Sequence, residues 1–205
     1  DRNCTYAHTL SGHEYVANEA FEKAVAMYRH AMRLDGRHYN AWYGLGAIYY
    51  RQEKYALAEY HFQRALSMNP GSSVLHCYLG MTYHANKRCH DALRHLRLAA
   101  QAEPNNPQAR FQCANVLISM DRHAEALKEL EAVADHAPKE ASVHFLMGKV
   151  CKKLGKLDDA MMRFAGSGAL FLLNFALTRP CMDRLRRRAW STVAKAPSPR
   201  MSPKA

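Results

Sequence analysis

The chain has 205 residues with 29 Lys and Arg against 18 Asp and Glu, a formal charge of +11, and 48% hydrophobic residues. Its one long apolar stretch, Ala169 to Leu177, falls far short of the roughly 20 residues that span a bilayer. The charge does not by itself point to nucleic acid: positions 166–205 hold eight Lys/Arg and a single acidic side chain, which leaves +4 for the rest.

Ala24, Ala58, Ala92, Ala126 and Ala160 recur at one unbroken 34-residue step. A fixed period of that length is the signature of a stacked-repeat solenoid. Units are expected near 5–38, 39–72, 73–106 and 107–140, with an incomplete fifth over 141–164. Each reads as two antiparallel helices, because apolar residues recur at three- and four-residue steps in each half.

The first unit carries Gly12, Tyr15, Ala24, Tyr28 and Ala31. The second places Trp42, Leu45, Gly46, Tyr49, Ala58, Phe62, Ala65 and Pro70 in every slot of the tetratricopeptide pattern W-x2-L-G-x2-Y, A-x3-F, P. The third repeats Leu79, Gly80, Tyr83, Ala92, Leu96, Ala99 and Pro104. The fourth, weaker, reads Cys113, Ala114, Leu117, Ala126, Leu130, Val133 and Pro138. The fifth starts with Met147, Gly148, Ala160 and Phe164, after which its second helix is expected to fail.

The glycines and alanines are steric requirements where two helix backbones approach closely. Pro70, Pro104 and Pro138 cannot continue a helix and so end each unit. Asn106 followed by Pro107 supplies an N-cap and a first-turn proline. The fold class is therefore all-α, a right-handed tetratricopeptide superhelix of nine to ten helices through residue 164. Residues 165–205 form an atypical basic tail expected to be disordered from Pro180 onward. A start at Asp1 with a unit already under way suggests a piece of a longer chain.

No catalytic constellation is present: there is no G-x-S-x-G elbow, no Walker loop and no paired carboxylates on a rigid cleft. His13-Glu14 opens like a zinc-protease helix, but Ala17 stands where the second histidine belongs. His8, His76 and His144 share the slot of Trp42, so helix packing explains their recurrence. His84, Cys89, His90 and His95 lack ligand spacing. Six cysteines show no close pairing and read as small core or groove residues in a reducing compartment. No metal or cofactor is expected, and Arg184 to Arg188 read as a solvated basic patch.

The positive signal lies in the first helices, whose second, fifth, ninth and twelfth positions face the concave side of such a stack. A partner-binding groove is expected from Asn40, Tyr43, Tyr50, Cys77, Met81, His84, Phe111 and Asn115. Its aromatics can anchor an extended peptide and its amides can pair with the peptide backbone. Lys149, Lys152 and Lys153 of the fifth unit complement a helix C-terminus or meet an acidic segment.

Beyond the generic repeat, Gly12-His13-Glu14-Tyr15, the run RHYNAWYGLGAIYYRQEKYALAEYHF from Arg37 to Phe62, Pro70 to Leu75 and PKEASVHFLMGKVCKKLGK are similar to the C-terminal repeats of the Cdc-twenty-seven type subunit of the anaphase-promoting complex, subunit three. The likeness covers about residues 5–164. It implies a non-catalytic scaffold of a nuclear, and also cytoplasmic, ubiquitin ligase. The implied partners are other subunits of that complex and activator proteins with Ile-Arg tails, with no nucleic acid and no membrane. Homodimerisation in that family uses upstream repeats. The competing reading is a tetratricopeptide cochaperone or adaptor that binds a peptide C-terminus. The EEVD clamp of cochaperones needs Lys and Asn where this chain has Thr9 and His13.

Overall fold

The computed structural model describes residues 4–138 and 140–166. The expectations for Ala169–Leu177 and for the segment from Pro180 onward lie outside the described residues. Ten helices follow one another: α1 (Thr5–Ala17), α2 (Phe21–Leu34), α3 (Tyr39–Arg51), α4 (Tyr55–Met68), α5 (Ser73–Ala85), α6 (Cys89–Ala102), α7 (Pro107–Ser119), α8 (His123–His136), α9 (Ala141–Lys153) and α10 (Leu157–Gly166). Among the described residues there is no strand. The odd-numbered helices start at 5, 39, 73, 107 and 141 and the even ones at 21, 55, 89, 123 and 157, so both sets keep the 34-residue step. In the fifth unit α10 forms from Leu157 through Gly166, with Ala160 and Phe164 buried; the expected failure of this helix after Phe164 bears on positions beyond Gly166, which lie outside the described residues.

Every helix packs on its neighbours in sequence. In addition α1 touches α3, α3 touches α5 and α5 touches α7, while no comparable contact joins successive even helices among the described residues. The odd helices therefore follow the shorter, inner path of the curve.

The small-residue slots have a direct cause. A Cβ on Gly12 would lie 2.5 Å from the Tyr28 ring, and one on Gly44 would lie 2.3 Å from the same ring. One fully buried tyrosine is thus wedged against glycines from two successive units. Gly46, Gly80 and Gly148 meet Phe62, Leu96 and Phe164 in the same way, at 2.7, 2.6 and 2.7 Å.

Unit boundaries follow local chemistry. Pro70, Pro104 and Pro138 each stand two residues beyond the end of α4, α6 and α8, where the missing amide proton forbids another helical bond. Asn106 caps α7 by accepting a bond from the Gln108 amide at 3.0 Å, with Pro107 in the first turn. Ser72 caps α5 through the Leu75 amide at 3.3 Å.

The turn inside each unit carries its own periodicity. Glu19, Glu53, Lys87 and Asp121 sit at φ values between 57° and 62°, and Gly155 at 75°, again on the 34-residue step. This left-handed residue ends the first helix. The following amide bonds back to that helix, as Lys54 does to the Tyr49 carbonyl at 2.9 Å. Four of the five positions hold a residue with a Cβ, which costs conformational energy that glycine would avoid.

The Trp42 slot has a shared role. Trp42 Nε1 donates to the Gly36 carbonyl at 3.1 Å, His76 Nε2 to Pro70 at 3.1 Å and His144 Nε2 to Pro138 at 2.8 Å. In all three a ring N–H ties the new helix to the carbonyl six residues earlier. His76 must then carry its proton on Nε2, so its Nδ1 accepts from His95 Nδ1 at 3.0 Å.

Candidate functional site

The inner face is built where α3, α5 and α7 run side by side. Tyr43 of α3 meets Tyr78 of α5 edge-on with ring centroids 5.2 Å apart. Both rings approach the buried Phe62, at 6.2 and 5.5 Å. Next to this trio lies a cavity of about 240 Å³ lined by Tyr43, Val74, Cys77, Tyr78, Gln108 and Ala109 among others. It takes walls from three successive units, so it exists only because the units stack.

Tyr43, Cys77 and the cavity are thus brought together as the helical spacing requires. Tyr43 is half-buried, and burial, with Tyr78 as hydrogen-bonding neighbour, pushes its phenol well above the ordinary range. Cys77 is buried and contributes wall, not open surface; burial raises its thiol to about 11. Tyr50 lies one face-repeat further along α3 with its ring 5.7 Å from Tyr55, and burial raises its phenol as well. Met81 and Phe111 are partly buried and pack on the main core. Asn40 is half-buried in the first turn of α3.

His84 and Asn115 stand toward the other end of these helices. His84 Nε2 lies 3.0 Å from Ser119 Oγ, which itself donates to the Val116 carbonyl at 2.7 Å. Because Ser119 has committed its proton, His84 Nε2–H is the donor to it. Burial lowers the His84 pKa, so the ring is neutral at physiological pH. Asn115 donates to Gln112 at 3.3 Å. Lys149 reaches over the Phe145 ring at 4.9 Å. Lys152 and Lys153 occupy the last turn of α9, where cations complement the helix dipole.

Tyr78, Gln108 and Ala109 complete the cavity, and the sequence pattern does not single out Tyr78. Its slot in the repeat holds Gly44 one unit earlier and Gln112 one unit later, so the pattern demands no aromatic there. His76 and His95 pair with each other, and His84 and Cys89 both face Ser119, at 3.0 and 3.8 Å. Among the described residues no three His, Cys, Asp or Glu side chains converge to hold a metal ion. No described helix is long and apolar enough to cross a membrane.

A stack of antiparallel helix pairs at a 34-residue step defines a helical-repeat module in class. Models of the tetratricopeptide repeat match residues 9–73 and 83–150, and the chain belongs to that family. Within it, the sequence is similar to anaphase-promoting complex subunit 3 of Schizosaccharomyces pombe, 44% identical over 164 residues, which are 80% of this chain and 25% of that protein. It is likewise similar to cell division cycle protein 27 homolog B of Arabidopsis thaliana, 48% identical over 78% of this chain and 21% of that protein. The chain spans about a quarter of the length of these curated relatives. Solved structures of like shape include PilF of Pseudomonas aeruginosa, with a TM-score of 0.75 and 19% identity over 80% of this chain and 75% of that one. YrrB, a repeat protein with an unusual peptide-binding site, aligns with a TM-score of 0.66 and 24% identity over 82% and 86% of the two chains. At such identities these structures speak for the fold.

Proposed function

We propose that this chain is a non-catalytic scaffold segment of an anaphase-promoting complex, which it joins through repeat-to-repeat and repeat-to-subunit contacts in the nucleus and cytoplasm. The observation that carries this reading is the 44% and 48% identity to subunit-3 relatives over about four-fifths of the chain, far more than shared repeat slots require.

On the same reading the inner face receives the Ile-Arg tail of an activator protein. The Tyr43, Tyr78 and Cys77 cavity takes the aliphatic side chain, while Asn40 and Asn115 pair with the extended backbone. Tyr50, Met81, His84 and Phe111 continue the wall on either side. A cavity of about 240 Å³ suits one aliphatic side chain and part of its neighbours, not a drug-sized ligand. The domain responsible is residues 1–164.

The test is a titration of the full chain with a labelled ten-residue peptide ending in Ile-Arg, against the same peptide lacking those two residues. Binding that depends on the final pair supports the tail reading; equal affinity for both contradicts it. Retention of other complex subunits by the tagged chain tests the scaffold reading separately. A generic adaptor binds a peptide C-terminus but retains none of those subunits.

A further inference from the structure

The outer side of the first two units carries a cluster that the inner face does not use. Trp42 of α3 meets Tyr60 and His61 of α4 with ring centroids 6.3 and 5.5 Å away. The Arg64 guanidinium lies over the Trp42 ring at 5.4 Å. Arg29 of α2 acts on His61 from the preceding unit, and Arg33 stands one turn along the same helix. Tyr60 is 53% exposed, and the three arginines are exposed as well.

The arginines of this cluster form no ion pair among the described residues. Arg88, Arg97, Arg110 and Arg122 each hold a carboxylate within 4.0 Å, whereas among the described residues Arg29, Arg33 and Arg64 hold none. His61 adds no charge: burial first, and the Arg29 charge second, lower its pKa to about 4. An arginine laid on an indole ring keeps its N–H edge free for a carboxylate and has less motion to lose on binding one.

We propose that Arg29, Arg33 and Arg64, with Trp42 and Tyr60, form a docking surface for an acidic segment of a partner protein, rich in Asp and Glu and carrying one aromatic anchor. The aromatic faces take the anchor and the guanidinium groups take the carboxylates. The surface is separate from the inner face, so the two readings stand or fall independently.

The experiment uses the full chain at low salt and a fluorescein-labelled peptide of alternating Glu and Asp with one central Phe, followed by anisotropy. A Lys-for-acid version of the peptide and an oligothymidine of equal length are the comparison probes. The acidic peptide is expected to bind, with affinity falling as salt rises. R29E/R64E is expected to weaken it about tenfold or more, and R29Q/R64Q about fivefold, with circular dichroism unchanged. K87E/K128E, the same change in net charge elsewhere on the surface, is expected to weaken it less than about twofold. Equal losses in the two charge reversals, no binding by the parent, or tighter binding of oligothymidine than of the acidic peptide would overturn the proposal.

Discussion

Replacing Gly46 by Ala puts a methyl carbon 2.7 Å from Phe62 Cδ1 and Cε1 and 3.0 Å from Cζ. Carbon atoms normally settle at about 3.5–4.0 Å from one another. Phe62 is fully buried with Tyr43 and Tyr78 against it, so the ring has no open direction in which to yield. Overpacking costs about 1–3 kcal/mol, and a ring with no room to yield puts this case at about 2–3 kcal/mol, of which the better helix propensity of alanine returns about 1 kcal/mol. The net loss is expected at about 1–2 kcal/mol, a fall in Tm of about 3–6 °C for a domain of this size. Gly71→Ala is the control, because a Cβ there meets nothing within 4 Å. Its effect should stay within about 0.5 kcal/mol. Urea and thermal unfolding followed by circular dichroism measure both. A cycle with Phe62→Leu should show G46A/F62L less destabilised than the sum of the singles by about 0.5 kcal/mol or more, since the smaller side chain vacates the contact. Gly46→Ala as stable as the parent, or strict additivity in the cycle, would refute the steric account of the small-residue slots.

Glu53 sits at φ 60, so Glu53→Gly removes a Cβ from a left-handed residue and is expected to raise stability by about 0.5–1 kcal/mol in the same unfolding assay, with no change in far-ultraviolet signal. Acid should weaken the fold before its carboxylates titrate. His61 and His95 have folded pKa values lowered to about 4, chiefly by burial, against the ordinary 6.5, so the unfolded chain binds more protons between those limits. Stability is therefore complete above the unfolded value and is lost as pH falls toward the folded one. The loss is on the order of 3 kcal/mol for the two together, once solvent screening of the incompletely covered rings is allowed for. Urea midpoints at pH 7 and pH 5 read roughly the first three-fifths of it, and equal midpoints would contradict it. Among the described cysteines, Cys77, Cys113 and Cys151 are buried with thiols raised by burial, to about 11 and about 12 in the first two. At pH 8 they should react with a disulfide reagent only on unfolding, while Cys4 and Cys89, which are partly exposed, react in the native chain.

The helix pairs were legible because a steric requirement leaves a mark on composition: only a small side chain fits where Tyr28, Phe62, Leu96 or Phe164 crosses the facing helix. Asn106-Pro107 and the three unit-ending prolines were legible for the same kind of reason, since few residue types can do those jobs. The left-handed turn residues were not, because Glu19, Glu53 and Lys87 are of types that rarely mark that conformation, and Asp121 is the one of the four whose type favours it. The inner-face spacing put Tyr43 and Cys77 on the side where α3, α5 and α7 run together but could not tell depth. How far each is covered depends on Tyr78, whose slot in the repeat follows no periodic rule. The outer cluster around Trp42 was hidden for a similar reason. Its residues are spread over α2, α3 and α4, and only the packing of two units assembles them.

The central claim, that the inner face across the second and third units holds a peptide tail, is tested most directly by the affinity of an Ile-Arg-ending peptide for the Tyr43→Ala chain. Truncation of a buried aromatic anchor costs about 2 kcal/mol, so the account predicts affinity about thirtyfold weaker than the parent's, in protein shown by circular dichroism to be folded. Tyr43→Phe, which keeps the ring beside Tyr78, should retain most of it, and Gln101→Ala on the exposed side of α6 should retain all of it. Unchanged affinity in Tyr43→Ala, where the parent binds measurably, would contradict the account.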